Sequence, residues 1–306
     1  MKKIQLLILS VLFSSVALAQ QQAMFTEYMY NEVTLNPAYA GSHGVISATA
    51  IARRQWVGIE GAPSTLSFNA HSPLKNENIA LGISIVHDQI TVSRNFNMFG
   101  SASYKIAFSK ENHLHFGLQY GFTSISEDLT SFDGLQSDAS SDPDLGIETA
   151  SGVIPNVGFG MYYYNHQFYI GVSSPQLLNN AIEFGSAELP ELERHYFLNS
   201  GYVFNLSPEF KFKPTIFVKV VENVRPNFDF TGTFIWNEVV SIGAAWRSFD
   251  SFDILAGFQI NEQFKLGYAY DLTTTSLNQF NNGSHEIALN YKFSFSDDKI
   301  ITPRHF

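Results

Sequence analysis

The sequence predicts an all-β protein, a transmembrane barrel of 14 antiparallel strands with short periplasmic turns and longer extracellular loops. Three observations lead to this prediction. Large apolar side chains occupy every second position through most of the chain, and the connections between these segments alternate in length. After the N-terminal segment, no apolar run reaches the roughly 18 residues of a membrane helix. A closed barrel also spans a membrane, because its strands satisfy one another's backbone groups.

The chain begins with a segment typical of a secretory signal peptide. Lys2 and Lys3 precede an apolar run, which ends in the small-x-small sequence Ala-Leu-Ala at residues 17–19. The run is too short for a membrane anchor, so we expect residues 1–19 to be removed on export. Cysteine is absent, which excludes both a lipid-modified N-terminal cysteine and a disulfide framework.

The composition is unusual for a soluble secreted protein. Charged residues make up 15% of the chain, against roughly a quarter in ordinary soluble domains. Aromatic residues also reach 15%, and phenylalanine alone occurs 28 times. The formal net charge is −10, and no cluster of lysine or arginine follows the signal segment. Nucleic acid is therefore excluded as an expected partner, because a phosphate backbone needs a basic surface.

The predicted barrel domain spans residues 44–295. Its last segment shows the alternation most clearly, because Ile287 and Leu289 lie on one face while Glu286 and Asn290 lie on the other. An even number of antiparallel strands brings both ends of the domain to the same side of the membrane. The 14 predicted segments are residues 44–56, 63–72, 78–88, 95–108, 113–125, 153–164, 167–174, 195–206, 210–221, 225–236, 239–248, 252–260, 263–272 and 283–295.

The apolar face of each segment is predicted to contact lipid. A lysine or arginine on that face costs about 2 to 4 kcal/mol at the middle of the membrane. Glycines on the other face leave room in the lumen or let the wall bend. Four lysines of the predicted strands fall on the lumen face, as this cost requires: Lys105, Lys219, Lys265 and Lys292.

The lengths of the connections test the barrel prediction independently. Outer-membrane barrels have short periplasmic turns and longer extracellular loops. A soluble β-sandwich or propeller also alternates, but nothing sorts its connections by length. Every second connection here is short: residues 74–77, 109–112, 165–166, 207–209, 237–238 and 261–262. The other connections include three long ones, residues 126–152, 174–194 and 273–282.

The sequence gives no positive sign of catalysis. The histidines are scattered, and no nucleophile elbow or metalloprotease spacing occurs. His113 and His115 share a strand face, as a metal pair requires, but a solvated pair beside a turn is the favoured reading. The acidic loop 137–148 has enough carboxylates for calcium but lacks the spacing of a calcium loop, which favours an ordinary hydrated loop. We therefore expect no enzymatic activity and no cofactor.

Two blocks near the start of the mature chain carry a family resemblance. "FTEYMYNEVTLNPAYAGS" and "RRQWVGIEGAPSTLSFNAHSPL" resemble the PorP/SprF family of Bacteroidetes outer-membrane proteins, and further blocks extend the resemblance over the whole mature chain. It implies an outer-membrane barrel that accompanies type IX secretion and surface attachment of adhesin-like proteins, without an enzymatic activity or a cofactor. The matching signature residues are Tyr28, Asn31, Asn36, Pro37, Ala38, Tyr39, Ala40 and Gly41, then Gln55, Trp56, Gly58, Gly61, Ala62 and Pro63.

The sequence departs from the family pattern at two places. Glu32 and Val33 stand where a proline is expected shortly after Asn31, so the turn there is expected to be looser. The tail, residues 296–306, continues beyond the last predicted strand, whereas relatives tend to stop at that strand.

Two functional hypotheses follow from different grounds. The resemblance implies an outer-membrane component of the type IX secretion system. Its partners would be membrane lipid, a secreted adhesin-like substrate and periplasmic secretion components. The barrel alone equally suits a passive channel or transporter for small or apolar solutes. A sealed lumen favours the first hypothesis, and an open lumen favours the second.

The segment between the signal peptide and the barrel, residues 20–43, fits no simple secondary-structure pattern. It precedes the first of an even number of strands, so we expect it to begin on the periplasmic side. Tyr28 and Tyr39 are too apolar to extend into water, which indicates that the segment packs in the periplasmic mouth or the lumen. We expect Asn31 and Asn36 to satisfy backbone groups there. A structural plug and a docking surface for secretion machinery are both open readings.

Overall fold

The structure is a computed structural model that describes residues 22–127, 150–179, 182–184, 187–189, 193–222 and 224–293. The predicted signal peptide, the acidic loop 137–148 and the tail 296–306 lie outside the described residues. Within the described ranges, no helix has the length and apolar character needed to cross a membrane.

Seventeen strands account for most of the described residues. Their bounds are β1 (Ile46–Arg54), β2 (Ser64–Pro73), β3 (Ile79–Ile90), β4 (Ser93–Ala107), β5 (His113–Glu127), β6 (Ala150–Tyr164), β7 (Phe168–Ser174), β8 (Ile182–Phe184), β9 (Ala187–Leu189), β10 (His195–Tyr202), β11 (Phe204–Asn205), β12 (Phe210–Val221), β13 (Asn227–Trp236), β14 (Val240–Arg247), β15 (Ser251–Gln259), β16 (Phe264–Thr273) and β17 (Ser284–Phe293).

The strands close into a barrel in which neighbours pair antiparallel. β1 pairs with both β2 and β17, and β10 closes the circle by pairing with β7 and β12. β10 and β11 are two parts of one barrel strand that is interrupted at Val203, and β8 and β9 form a separate hairpin. The predicted fold, an antiparallel transmembrane barrel of 14 strands, is confirmed. Each of the 14 predicted segments corresponds to one strand of the wall.

The wall has an apolar outside and a polar inside. Leu118, Tyr120 and Ile242 are 64%, 68% and 61% exposed on the outer face. Side chains at the alternate positions, such as Gln119 and Asn199, are buried. This alternation gives lipid an apolar surface and leaves the lumen lined with hydroxyl, amide and charged groups.

The two ends of the barrel differ in their connections. At one end, which we call the short-turn end, the β2–β3, β4–β5, β6–β7, β11–β12, β13–β14 and β15–β16 connections are all short. The opposite end, the long-loop end, carries the β5–β6, β7–β10 and β16–β17 connections. β1 begins at the short-turn end, because it runs antiparallel to β2, and β2 ends at the short β2–β3 connection. By the general rule for outer-membrane barrels, the short-turn end faces the periplasm.

Residues 22–45, which we call the inner segment, lie inside the barrel. Phe25, Tyr28, Val33 and Tyr39 of this segment are all buried. Thr26 and Glu27 of the segment lie beside Glu286, at the long-loop end of β17, and from there the segment runs through the lumen to β1. We expected the segment to begin on the periplasmic side, but its described part runs from near the long-loop end to Gly41 near the short-turn end.

The two faces of the wall predict how single cysteines react. Leu118→Cys and Leu289→Cys should react with an apolar, membrane-soluble maleimide but not with a charged aqueous one, because both side chains face lipid. Glu111→Cys, in the exposed β4–β5 turn, is the control that the aqueous reagent should label. The native chain has no cysteine, so each label reports one site. Equal aqueous labelling at all three positions would contradict this register.

Candidate functional site

The inner segment is built from three very short helical turns. They span Tyr28–Tyr30, Glu32–Leu35 and Pro37–Tyr39. Helices of this length are not stable alone in water, so the contacts with the barrel must hold them. The third turn carries its own start signal, because the side chain of Asn36 accepts a hydrogen bond from the Ala38 backbone N–H at 3.0 Å, with Pro37 at the first helical position.

Glu286 of β17 anchors the start of the inner segment. Its carboxylate accepts hydrogen bonds from the backbone N–H groups of Thr26 at 2.9 Å and of Glu27 at 2.7 Å. The guanidinium of Arg53 donates to the same carboxylate at 3.0 Å and to Asp271 at 2.7 Å. Because the Arg53 and Glu286 side chains are only 1% and 0% exposed, water does not compete for these bonds.

Thr26 and a second arginine complete this group. The Thr26 hydroxyl donates to Asp271 at 2.9 Å and accepts from Arg53 at 2.9 Å. Arg247 donates to Asp229 at 2.9 Å and to the backbone carbonyl of Phe25 at 3.3 Å. We call the five wall residues of this group the anchor cluster. The cluster consists of Arg53, Asp229, Arg247, Asp271 and Glu286.

The middle of the inner segment packs against the wall through Tyr28 and Asn31. The Tyr28 ring stacks on Phe217 at a centroid distance of 4.8 Å, and its hydroxyl lies 2.9 Å from the Thr215 hydroxyl. The Asn31 carboxamide oxygen accepts from Asn69 at 2.8 Å and from Ser67 at 3.1 Å. We expected Asn31 to satisfy backbone groups, but its described wall partners are side chains.

Two carboxyl groups of the inner segment, those of Glu27 and Glu32, are buried in the lumen. Glu32 accepts a hydrogen bond from the Asn199 side chain, and Glu27 lies against Gly267 of the wall. Both side chains therefore depend on the wall for polar contacts.

Polar side chains of the wall hold the last part of the inner segment. Asn36 donates from its amide to the Met161 carbonyl at 3.0 Å. The hydroxyls of Ser173 and Ser103 donate to the Leu35 and Ala40 carbonyls at 2.7 and 2.6 Å. These bonds satisfy backbone groups that a buried irregular segment cannot pair within itself.

An aromatic group surrounds Tyr39 near the short-turn end. The Tyr39 ring meets Tyr162 edge to face at a centroid distance of 5.1 Å, and its hydroxyl lies 3.1 Å from His43 Nε2. His71 Nδ1 accepts a hydrogen bond from the Gly41 backbone N–H at 3.1 Å. Gly41 has a φ of +78° and turns the chain towards the wall, where any Cβ would overlap Ala80.

Two glycines of the wall, Gly117 and Gly160, let the inner segment approach the strands closely. A Cβ at Gly117 would overlap backbone atoms of Pro37 and Ala38, and a Cβ at Gly160 would overlap the Asn36 side chain. We expected the lumen glycines either to leave free space or to let the wall bend. At these two positions the space is used by the inner segment.

The second signature block forms the β1–β2 connection at the long-loop end. The Trp56 N–H donates to the Ser284 hydroxyl at 3.2 Å, and the Gln55 N–H donates to the Pro63 carbonyl at 3.0 Å. The Gly61 carbonyl accepts from the Thr91 N–H at 2.8 Å. Gly58 and Gly61 have φ values of +105° and +71°, which favour glycine. This connection is thereby tied to its two neighbours on the rim.

The structure thus separates the two predicted blocks of signature residues. The residues from Tyr28 to Gly41 lie together in the lumen, whereas those from Gln55 to Pro63 lie on the rim of the long-loop end. Sequence reasoning missed the anchor cluster. Its signal was present, because charged residues of opposite sign recur on the lumen face near the same end of β1, β13, β14, β16 and β17.

The two histidines singled out from the sequence differ in exposure. His115 is buried, and its Nε2 lies 3.2 Å from the Tyr164 hydroxyl. His113 is half-buried, and its ring lies 5.2 Å from the Tyr164 ring. The favoured reading of a solvated pair was wrong for His115, because Tyr164 of β6 covers it. Among the described residues, no group of three or more histidine or acidic side chains is arranged to hold a metal ion.

The burial of the anchor cluster predicts that its ion pair between Arg53 and Glu286 affects the free energy of unfolding far more than an exposed ion pair does. Glu286→Gln should lower the free energy of unfolding by about 3 to 5 kcal/mol, because it leaves the buried Arg53 without its full countercharge. Glu238→Gln, in the exposed pair with Lys211, should cost less than about 1 kcal/mol. Urea unfolding of the refolded protein in detergent, followed by tryptophan fluorescence, measures both. Similar losses in the two variants would contradict the role of Glu286.

Solved barrels share the architecture described above. A FadL homologue of Pseudomonas aeruginosa superposes with a TM-score of 0.50 and 10% identity, covering 86% of this chain and 94% of that chain. The P. putida toluene transporter TodX gives a TM-score of 0.50 and 9% identity, covering 87% of this chain and 95% of that chain. At these identities the likeness shows the barrel fold alone.

The sequence itself was compared with curated proteins and with family profiles. No curated protein matches the chain. One family profile, described as "Type IX secretion system membrane protein PorP/SprF", matches residues 17–291, which is nearly the whole chain. The chain therefore belongs to the PorP/SprF family of type IX secretion system membrane proteins.

Proposed function

We propose that this barrel supports the secretion or surface attachment of an adhesin-like partner protein by the type IX secretion system. The proposal rests on membership of the PorP/SprF family, which covers residues 17–291. The partner would contact the long-loop end, which by the rule for outer-membrane barrels faces the cell exterior. Periplasmic secretion components would contact the short-turn end. In this reading the chain carries no catalytic step and needs no cofactor.

The single observation that favours this function over an open, water-filled channel is the inner segment, which occupies the lumen. The inner segment passes through the barrel from Thr26 at the long-loop end to Gly41 at the short-turn end, and most of its residues are buried. A passive pore for solutes needs a continuous water path. The buried polar bonds of the anchor cluster oppose the removal of the segment, because they would have to be broken together.

We further propose that the two signature blocks serve different parts of this function. The residues from Tyr28 to Gly41 would seal the lumen, and those from Gln55 to Pro63 would shape the rim that a partner meets. Support for the second role comes from the hydrogen bonds that tie the connection to Ser284 and Thr91, which hold its shape. Rigid loops lose less entropy on binding than mobile ones.

A secretion assay tests the proposed function. Deletion of residues 128–149, in the β5–β6 loop at the long-loop end, should reduce partner protein at the cell surface at least tenfold while barrel levels hold. The control is an epitope insertion of similar length in the β4–β5 turn at the short-turn end, away from the proposed partner surface. The partner is identified beforehand by co-purification with the native barrel from outer membranes. Normal surface display after the loop deletion would contradict the proposal.

A valine in the wall tests whether the inner segment seals the barrel. Gly117→Val should displace Pro37 and Ala38 and open a steady conductance in planar bilayers, whereas the native protein should stay closed. Gly100→Val is the matched control, because a Cβ there has only the Tyr120 carbonyl oxygen nearby, at 3.9 Å. Heat-dependent electrophoretic mobility establishes that each variant is folded. A large steady conductance of the native protein would favour the channel hypothesis instead.

A further inference from the structure

A cavity of about 740 Å³ lies between the inner segment and the wall formed by β12 to β17. Residues of the β13–β14 and β15–β16 turns, such as Glu238 and Asn261, line its mouth. Both turns belong to the short-turn end, so a ligand enters from that side. The volume falls within the range of about 300 to 1,000 Å³ that is usual for binding sites of small ligands.

Three lysines from three strands line this cavity. They are Lys213 of β12, Lys265 of β16 and Lys292 of β17, and each lies near the short-turn end of its strand. The inner segment contributes one acid, Glu27, to the same space. Two more acids stand at the mouth, where Glu238 is engaged by Lys211 and Glu262 is exposed. Among the described residues, three lysines and three glutamates therefore line this cavity, and two of the glutamates stand at its mouth.

A group of three lysines around one cavity is unusual for this chain. The formal net charge is −10, with 18 lysines and arginines against 28 acidic residues. Inside a cleft with walls of low dielectric constant, the field of a few like charges is concentrated rather than screened. The lysines thus single out this cavity as a place where an anion is attracted to an acidic protein.

Apolar and aromatic side chains also line the cavity. Met29 and Tyr30 of the inner segment face it together with Ile235 and Leu255 of the wall. The Lys265 ammonium lies 5.0 Å from the centre of the Tyr30 ring, which positions the charge beside the apolar lining. A fitting ligand therefore carries an anionic group and an apolar group a few ångströms apart.

We propose that this cavity binds a carboxylate-bearing ligand from the short-turn side, with Lys265 and Lys292 holding the carboxylate and Tyr30 and Leu255 contacting its apolar part. An acidic peptide segment with a neighbouring apolar side chain has this chemistry, and so does a small organic acid. The carboxylate accepts hydrogen bonds from the lysine ammonium groups, and these charge-assisted bonds are stronger than neutral ones. The proposal goes beyond the proposed function and does not depend on it.

The probes are a fluorescent hexapeptide of alternating aspartate and leucine, its counterpart with asparagine in place of aspartate, and succinate as a competitor. Fluorescence anisotropy on the full-length protein in detergent measures the Kd of each peptide. The aspartate peptide should bind at least tenfold more tightly than the asparagine peptide. Its binding should weaken as salt rises from low to physiological concentration, since exposed charges are screened.

Variants of the chain locate the site. Lys265→Gln and Lys292→Gln should each weaken binding of the aspartate peptide roughly tenfold, because each removes one charge-assisted hydrogen bond. Lys105→Gln is the matched control, since Lys105 lies at the same end, loses the same charge and stands outside the cavity. Heat-dependent electrophoretic mobility again establishes that each variant is folded. The comparison of the two peptides on the native protein needs no variant.

Each result has a defined meaning. Tight binding of the aspartate peptide that depends on Lys265 and Lys292 supports an acidic peptide as the ligand. Displacement of the peptide by millimolar succinate supports a small organic acid. Equal binding of the two peptides, or an equal loss in the Lys105→Gln variant, overturns the proposal. Normal surface display of the partner after deletion of residues 128–149, together with lysine-dependent peptide binding, would count against the proposed function alone.

Discussion

The structure depends on one constraint, that every polar group inside the membrane must find a partner within the protein. The wall meets this constraint for its backbone by closing β10 onto β12, which leaves no unpaired edge in that part of the sheet. Closure then creates a second problem, because the lumen face of the strands is polar. Ser67, Asn69 and Ser103 all point inward, and the inner segment supplies acceptors for each of them. At these positions the barrel and the inner segment satisfy each other's polar groups.

The anchor cluster determines the direction in which the inner segment runs through the barrel. Glu286 accepts hydrogen bonds from two successive backbone N–H groups, those of Thr26 and Glu27. The Thr26 hydroxyl donates to Asp271 beside them, so the threonine side chain also fixes the register. The charges themselves cost desolvation energy, so a buried ion pair adds specificity more readily than stability. The cluster thus fixes which residue of the inner segment lies at the long-loop end. The rest of the segment follows from its length.

The barrel fold could be predicted from the sequence for a simple physical reason. Lipid on one side and polar lumen on the other impose an alternation with a period of two, and segments such as residues 283–295 carry it in full. The inner segment was recognisable as irregular and packed, but its direction was not. The partnership of Arg53 with Asp271 and Glu286 depends on the register of β1, β16 and β17, and a single sequence does not contain that register. The expectation that His115 is exposed to water was wrong for a similar reason. Tyr164, which covers His115, comes from the adjacent strand, and the sequence does not show that contact.

Glu27 belongs both to the contacts of the inner segment with the anchor cluster and to the lining of the cavity that holds three lysines. Its backbone N–H is held by Glu286 in the anchor cluster, while its side chain lines the cavity that contains Lys213 and Lys265. The next residues, Met29 and Tyr30, also form the cavity wall, so a change in the position of the inner segment changes the cavity. Linkage is reciprocal, and a ligand that fits the cavity only when the segment is in place must stabilise the segment by the same free energy. Occupation of the short-turn end is thereby coupled to closure of the whole lumen through one stretch of chain.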